Sequence, residues 1–92
     1  MVVTRDVTVI NARGLHARPA MQFVDVANGF QSQVTVSRDG PETIEVDGKS
    51  VMQMITLEAT EGTVLHLKVE GDDAELAVGK LVELFESKFG EE

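Results

Sequence analysis

The chain has 92 residues, of which 42% are hydrophobic and 26% charged, and this composition predicts one small globular domain over residues 1–92 and argues against a disordered chain. Sixteen acidic residues against eight basic ones give a net charge of −8, and only four aromatic residues could stack on bases, so binding to nucleic acid is disfavoured. There is no cysteine, and no apolar run approaches the length of a membrane span, so we expect a cytoplasmic protein without disulfides, thiolate metal sites or membrane attachment.

The first half of the chain predicts a strand, a helix and two further strands. The segment VTRDVTVIN places Val3, Val7 and Val9 on one face of a strand. After a turn at residues 11–14, HARPAMQFVDVANG predicts a helix that stops at Gly29. SQVTVS and TIEV, separated by the turn RDGPE, predict two short strands. The residues expected to face the core from the helix and from the first of these strands are Ala20, Phe23, Val24, Ala27, Val34 and Val36.

The second half begins with a short apolar helix over KSVMQMITLEA, in which Ser50 and Gln53 have the spacing of a capping box. The segment TVLHLKV then predicts an alternating strand, with His66 at an ordinary outward position. Its inward residues are Leu65, Leu67 and Val69.

A long amphipathic helix is predicted over GDDAELAVGKLVELFESKFG, with Asp72 and Glu75 as its capping box and Gly90 as its stop. Its apolar stripe consists of Ala77, Val78, Leu81, Leu84, Phe85 and Phe89. The resulting order is β-α-β-β-α-β-α. Short strands joined by tight turns and interrupted by helices predict an α+β open-faced sandwich, with an antiparallel sheet and helices on one face. Many unrelated functions occur on such folds, so the fold leaves the function open.

The segment GLHARPA, residues 14–20, places His16 where the first helix is expected to begin. The unpaired amides of Ala17 and Arg18 and the positive end of the helix favour an anion there. The guanidinium of Arg18 suits phosphate oxygens, and Pro19 loses no hydrogen bond in a first turn. Gly14 allows the chain to turn tightly before the histidine.

From the residues alone, several roles for His16 remain open. A histidine before a helix is most often a cap or a surface residue. A metal ligand is disfavoured because no partner lies three or four residues on, so we expect no metal. A phosphoryl acceptor is compatible with the neighbouring donors. The site has no second histidine, no local carboxylate cluster and no Gly-rich nucleotide loop, so we expect a carrier without a cofactor and not a free-standing hydrolase, which would lack an acid-base partner.

GLHARPA resembles the phosphorylation-site signature of the HPr family, the histidine-containing phosphocarriers of the bacterial phosphoenolpyruvate:sugar phosphotransferase system, and of the nitrogen-branch relative NPr. QFVDVANGFQSQVTV is similar to the family's first helix and second strand, and GKSVMQMITLEA to its second site. EGTVLHLKVEGDDAELAVGKLVELFES is similar to its last strand and helix. The resemblance covers nearly the whole chain and implies a four-stranded antiparallel sheet with three helices on one face.

The resemblance implies that Enzyme I, charged by phosphoenolpyruvate, phosphorylates Nδ1 of His16, and that the group passes to a histidine of an EIIA-type domain. Arg18 corresponds to the active-site arginine, and Pro19 and Gly14 to the family's proline and glycine. The backbone amides of Ala17 and Arg18 would bind the phosphoryl group. We expect a monomer whose partners dock on an apolar patch formed by Leu15, Ala17, Ala20, Met21, Val51, Met52 and Ile55.

Ser50 matches the family's regulatory serine, which an HPr kinase/phosphatase modifies in many bacteria and which in some lineages creates a corepressor for a catabolite-control transcription factor. The alternative is that Ser50 is only a helix cap. An alternative function is a regulatory binding module that acts mainly through Ser50 phosphorylation. Such paralogues characteristically lack the active histidine, whereas this chain has it.

Two features depart from the family pattern. The segment SRDGPETIEVDG is a few residues longer than in typical members, which leaves the geometry around the second and third strands open. The ending ESKFGEE resembles NPr, whereas QFVDVANGF resembles sugar-type HPr. The branch therefore stays undecided between sugar transport and nitrogen regulation.

Overall fold

A computed structural model describes residues 1–91, so Glu92, the last residue of the predicted domain, lies outside the described range. The predicted order of strands and helices is confirmed. Over residues 1–91, no helix combines the length and the apolar character needed to cross a membrane. The elements are β1 Val2–Thr8, α1 Ala17–Asn28, β2 Gln33–Arg38, β3 Ile44–Asp47, α2 Val51–Ile55, β4 Val64–Glu70, α3 Ala74–Glu86 and a short 3-10 helix Lys88–Gly90.

Across the described residues the strands form one antiparallel sheet in the order β1-β4-β2-β3. The last strand in sequence therefore lies between the first and the second, where it pairs with both. Strand alternation turns Leu65, Leu67 and Val69 of β4 toward the helices, and all three are buried. The predicted α+β open-faced sandwich is thereby confirmed, with α1, α2 and α3 covering one face of the sheet.

Three aromatic rings form the centre of the helical layer. Phe23 of α1 meets Phe85 of α3 edge-to-face at 6.0 Å between ring centroids, and Phe85 meets Phe89 in the same manner at 4.9 Å. Most of the predicted core is confirmed, whereas Val3 and Leu84 are only partly buried. The confirmed core residues are Val7, Val9, Ala20, Phe23, Val24, Ala27, Val34, Val36, Leu65, Leu67, Val69, Ala77, Val78, Leu81, Phe85 and Phe89.

The start of α3 differs from the predicted capping box. The helix begins at Ala74, so Asp73 and not Asp72 is the preceding residue, and its side chain does not cap the helix. The Asp73 carboxylate instead accepts hydrogen bonds from the Ser32 hydroxyl, the Gln31 amide at 2.9 Å and the Ser32 amide at 3.0 Å. These bonds, that of the Ser32 hydroxyl first, lower the pKa of Asp73. Asp73 therefore ties α3 to the segment that enters β2.

The helix ends also differ from the prediction. α3 stops at Glu86 and not at Gly90, because Lys88 and Phe89 adopt left-handed backbone angles, with φ of 56° and 54°. This change of direction buries the Phe89 ring against α3. α2 is shorter than the predicted segment and ends at Ile55. α1, by contrast, ends as predicted: its last residue is Asn28, and Gly29 caps it with a right-handed φ of −75°.

The turn before α1 requires a glycine. Gly14 has a φ of +70°, and its amide donates to the Asn11 carbonyl at 3.0 Å. The next amide, that of Leu15, donates to the Ala59 carbonyl at 2.8 Å. A Cβ on Gly14 would lie 2.6 Å from that same carbonyl oxygen. The turn is therefore packed backbone against backbone, with no room for a side chain.

We expect Gly14→Ala to lower the free energy of unfolding by about 1–3 kcal/mol, because the substitution combines an unfavourable backbone angle with a contact against an immobile carbonyl. Gly79→Ala is the matched control: Gly79 is exposed within α3, and nothing lies within 4 Å of an added Cβ. That change should raise the free energy of unfolding by about 0.5–1 kcal/mol. Denaturant titration measures the free energy of unfolding of both variants. If the two substitutions change it equally, the role given to Gly14 is wrong.

His66 faces outward as predicted, but its surroundings are not those of an ordinary surface residue. Its Nδ1 lies 2.7 Å from an Asp6 carboxylate oxygen on β1, and its Nε2 lies 2.9 Å from a carboxylate oxygen of Asp39. Asp39 belongs to the connection between β2 and β3. The hydrogen bonds to Asp6 and then to Asp39 raise the pKa of His66 above 6.5.

The raised pKa of His66 predicts that the protein loses stability as the pH rises above 6.5. A protonated ring donates to both carboxylates, whereas a neutral ring has one N–H and serves only one of them. The extra stability is thus fully present below the unfolded pKa and is lost as the pH rises through the folded one. Unfolding free energies from pH 6 to about pH 8.5 should fall more for the wild type than for His66→Gln.

Ionic strength supplies the control for this prediction. The carboxylates of Asp6 and Asp39 are exposed, so added salt should reduce the pH-dependent difference between wild type and His66→Gln. If the unfolding free energies of wild type and His66→Gln change equally with pH at low salt, His66 is not the source of the pH dependence.

Candidate functional site

His16 occupies the N-cap position of α1, as the sequence predicts. Its backbone is extended, with φ of −77° and ψ of −171°, and its carbonyl accepts the first helical hydrogen bond from Ala20 at 3.1 Å. The imidazole makes no capping bond to the helix, so the alternative of a side-chain cap is not supported. The ring keeps 29% of its surface exposed. It is therefore fixed at its backbone and open to a reactant.

The residues that follow His16 form the first turn of α1. Amides at such a position have no carbonyl partner within the helix, and the helix end carries partial positive charge. The side chains of Ala17 and Arg18 are exposed, and Pro19 is buried. Within residues 1–91, Arg18 takes part in no ion pair, so its guanidinium is available to an incoming anion.

A carboxylate that the sequence interpretation missed lies against the histidine ring. Nε2 of His16 is 2.8 Å from Oε2 of Glu91, a residue 75 positions further along the chain. The prediction that His16 has no acid-base partner is therefore wrong. No local pattern could have indicated this contact, because it depends on how the chain turns after α3.

The Glu91 carboxylate is itself held by the turn that precedes His16. The side-chain amide of Asn11, which is 1% exposed, donates to the Gly14 carbonyl at 2.7 Å and to Oε1 of Glu91 at 3.1 Å. Partial burial alone would raise the pKa of Glu91, but the hydrogen bonds from His16 and Asn11 and the charges of His16 and Arg13 lower it on balance. Glu91 is thus an ionised carboxylate bridging the turn and the imidazole.

No metal-binding group accompanies this site in the part of the chain that the structure describes. Within residues 1–91, no group of three or more histidine, cysteine or carboxylate side chains is arranged so that it could hold a metal ion. Three surface cavities lie elsewhere, namely beside β2 and β3, between β1 and α3, and around residues 71–73. A hydrolase would need a substrate pocket, and none of these three cavities is lined by His16.

Ser50 occupies the N-cap position of α2, but only half of the predicted capping box forms. Its hydroxyl accepts a hydrogen bond from the Gln53 amide at 3.2 Å. The Gln53 side chain does not return to the Ser50 amide; its oxygen accepts from the Asp47 amide at 2.9 Å, and the Ser50 amide donates to the Asp47 carbonyl. The turn at Asp47 therefore takes the place of the second half of the box.

The predicted docking patch is partly exposed and partly buried. Met21 on α1 and Met52 and Ile55 on α2 are exposed, with Met52 the most at 79%. Ala17 is also exposed, whereas Val51 is partly buried against the core. Because α1 packs against α2, these side chains come from neighbouring helices near His16 and Ser50.

Two residues of the predicted patch face the interior. Leu15 is 4% exposed and Ala20 is fully buried, so neither side chain can contribute to an outer surface. The Leu15 backbone bond to Ala59 directs its side chain into the core, and Ala20 belongs to the apolar stripe of α1. The exposed part of the patch is therefore smaller than the sequence predicts.

Comparison with known proteins agrees with this geometry. The family model described as the PTS HPr component phosphorylation site matches residues 3–87. The phosphocarrier protein HPr of Pseudomonas aeruginosa is 48% identical over 86 residues, which cover 94% of this chain and 93% of that protein. Two solved structures are similar over most of their length.

The first of these structures is HPr-C-His from Thermoanaerobacter tengcongensis, with a TM-score of 0.89, 44% identity and 98% coverage of both chains. The second is a phosphocarrier protein HPr from Bacillus anthracis, with a TM-score of 0.82, 36% identity and coverage of 91% of this chain and 96% of that one. With GLHARPA at a helix N-terminus and a family model spanning almost all of its residues, the chain belongs to the HPr family, the phosphocarriers of the phosphotransferase system.

Proposed function

We propose that this protein accepts a phosphoryl group on Nδ1 of His16 from Enzyme I, which phosphoenolpyruvate charges, and passes the group to a histidine of an EIIA-type domain. The observation that supports this role most directly is the position of His16. Its partly exposed ring stands at the N-terminus of α1, beside backbone amides and an arginine that suit an anion.

The transfer needs no metal or cofactor bound to this chain. The lone pair of Nδ1 forms a bond to phosphorus while the bond from phosphorus to the donor breaks, and the electron pair of that bond stays with the donor. The phosphoryl oxygens would accept from the amides of Ala17 and Arg18, and the Arg18 guanidinium would offset their charge. In the onward step a histidine nitrogen of the EIIA-type domain forms a bond to phosphorus while the bond from phosphorus to Nδ1 breaks, and the electron pair of that bond returns to Nδ1.

Partner binding would use the exposed apolar side chains beside His16. Met21, Met52 and Ile55 are large, exposed and borne by adjacent helices. Exposed methionines adapt to partners of different shape, which suits a carrier that must meet both a donor and an acceptor. We propose that both partners cover this patch in turn, and that the carrier works as a monomeric single domain in the cytoplasm.

The first test is phosphorylation by Enzyme I with magnesium and phosphoenolpyruvate. Intact mass should show one acid-labile phosphoryl adduct on the wild type and none on His16→Ala. The matched control is His66→Ala, which removes the other histidine and should leave the adduct unchanged. An absent wild-type adduct, or one that persists in His16→Ala, would show the proposal to be wrong.

We propose further that Ser50 is a regulatory site for an HPr kinase/phosphatase. The residue is partly exposed and lies at the N-terminus of α2, next to the exposed Met52. A phosphate at a helix N-terminus is electrostatically favourable, so the modification need not unfold α2. It would place about two negative charges beside the apolar patch, where they must lose water when a partner binds.

The kinase test uses an HPr kinase and ATP. We expect an acid-stable adduct that Ser50→Ala abolishes and that Ser37→Ala, which removes a partly buried serine on β2, leaves intact. Transfer from Enzyme I to His16 should then be slower in the modified protein. Because Ser50→Ala also removes a cap, at a cost of about 1 kcal/mol, its folding is checked by thermal unfolding.

The same two assays separate the carrier from the regulatory alternative. A protein that acts mainly through Ser50 and a catabolite-control transcription factor would take the acid-stable adduct without the acid-labile one. We favour the carrier because His16 is present and its ring is exposed at the helix end.

A further inference from the structure

Two separate parts of the chain hold the Glu91 carboxylate against His16. Asn11, buried in the turn after β1, uses its two side-chain hydrogens to bind the Gly14 carbonyl and Glu91. Glu91 follows the 3-10 helix, which the buried ring of Phe89 fixes against α3. The 2.8 Å contact to His16 therefore joins two anchored segments.

The hydrogen bond between His16 and Glu91 determines which imidazole nitrogen carries the proton. An ionised carboxylate only accepts hydrogen bonds, so Nε2 of His16 must carry the hydrogen that binds Oε2 of Glu91. The lowered pKa of Glu91 is consistent with an ionised group. In a neutral ring the other nitrogen, Nδ1, then holds the free lone pair. This is the nitrogen that must attack phosphorus in the proposed function.

We propose that Glu91 is a positioning residue for phosphoryl transfer: it holds His16 in the Nε2–H form and stabilises the positive charge that the ring gains when Nδ1 binds phosphorus. This inference rests on the proposed function of His16. When the lone pair of Nδ1 forms the N–P bond and Nε2 keeps its hydrogen, the ring carries a positive charge. The carboxylate at Nε2 faces that charge directly, as the aspartate of a Ser-His-Asp triad faces its imidazolium.

The placement of Glu91 also separates it from the transferred group. Nε2 and Nδ1 lie on different sides of the five-membered ring, so a carboxylate bound at Nε2 does not occupy the position of the phosphoryl oxygens. Arg13 and Arg18 supply positive charge in the same segment, and Arg13 contributes to the lowered pKa of Glu91. The arrangement thus places an anion at Nε2 and leaves Nδ1 free for the phosphoryl group.

The first test does not depend on activity. ¹⁵N NMR of the unphosphorylated protein, at a pH where the His16 ring is neutral, reports which nitrogen carries the proton. We expect the Nε2–H form alone in the wild type and a mixture of both forms in Glu91→Ala. Glu91→Gln should fall between them, because its amide oxygen can accept from Nε2–H while its NH₂ group opposes Asn11. Identical spectra in the wild type and Glu91→Ala would overturn the proposal.

The second test measures transfer from Enzyme I. We expect Glu91→Ala to slow phosphorylation of His16 by about 10-fold, and to shift the equilibrium toward phosphorylated Enzyme I, because the charged ring loses its counter-ion. Glu86→Ala removes an exposed carboxylate near the end of α3 and serves as the matched control that should match the wild type. A rate for Glu91→Ala equal to or above the wild-type rate would make the contact neutral or inhibitory and overturn the proposal.

The two tests also separate this inference from the function on which it rests. If the wild type forms no adduct with Enzyme I, the phosphocarrier proposal fails, whereas the NMR comparison still measures the effect of Glu91 on the ring. If the adduct forms and neither measurement changes in Glu91→Ala, only the role of Glu91 fails. Thermal unfolding of each variant confirms that it is folded.

Discussion

The backbone contact between the turn at residues 11–14 and Ala59 determines the geometry of the whole site. The Leu15 amide binds the Ala59 carbonyl, and the glycine before it leaves no side chain between the two segments. Leu15 is therefore directed into the core and His16 out of it, at the first turn of α1. The same turn buries Asn11, the donor that reaches Glu91. A displacement of this turn would move the imidazole, its carboxylate and the helix amides together.

The hydrophobic core connects α1 to the end of the chain, far away in sequence. Phe23 of α1, Phe85 of α3 and Phe89 after α3 contact one another in series. The helix that presents His16 and the segment that presents Glu91 thus pack on the same rings. Edge-to-face aromatic contacts are directional, so they fix the relative orientation of the two segments as well as burying apolar surface. Core packing therefore acts together with the Asn11 hydrogen bond to bring Glu91 against His16.

The sequence predicted most of the fold because local periodicity contains that information. Alternating valines and leucines define strands, and the stripe in α1 predicts which residues are buried. The resemblance of GLHARPA to a family signature indicates His16 and Arg18 as candidate site residues. The errors concern side chains whose partners are far away in the chain: Asp73 binds residues more than 40 positions earlier, and Glu91 binds a residue 75 positions earlier. Local propensity cannot encode such contacts.

A second type of error arose where an apolar residue could serve either of two roles. The sequence predicts Leu15 and Ala20 in a docking surface, but both are buried. Composition does not distinguish a residue that faces the core from one that faces a partner, because both positions favour apolar side chains. The distinction depends on the direction of the backbone, which at Leu15 is set by the bond to Ala59.

The two proposed phosphorylation positions differ in what surrounds them, and this difference suggests why one would transfer its group and the other would keep it. At His16 the acceptor is a ring nitrogen whose positive charge after phosphorylation makes it a good leaving group, and Glu91 faces that ring. At Ser50 the acceptor is a hydroxyl that gains no positive charge when it is phosphorylated. Both positions adjoin the exposed side chains of α1 and α2, so a phosphate on Ser50 would meet the same partner surface. Regulation would then act through partner binding.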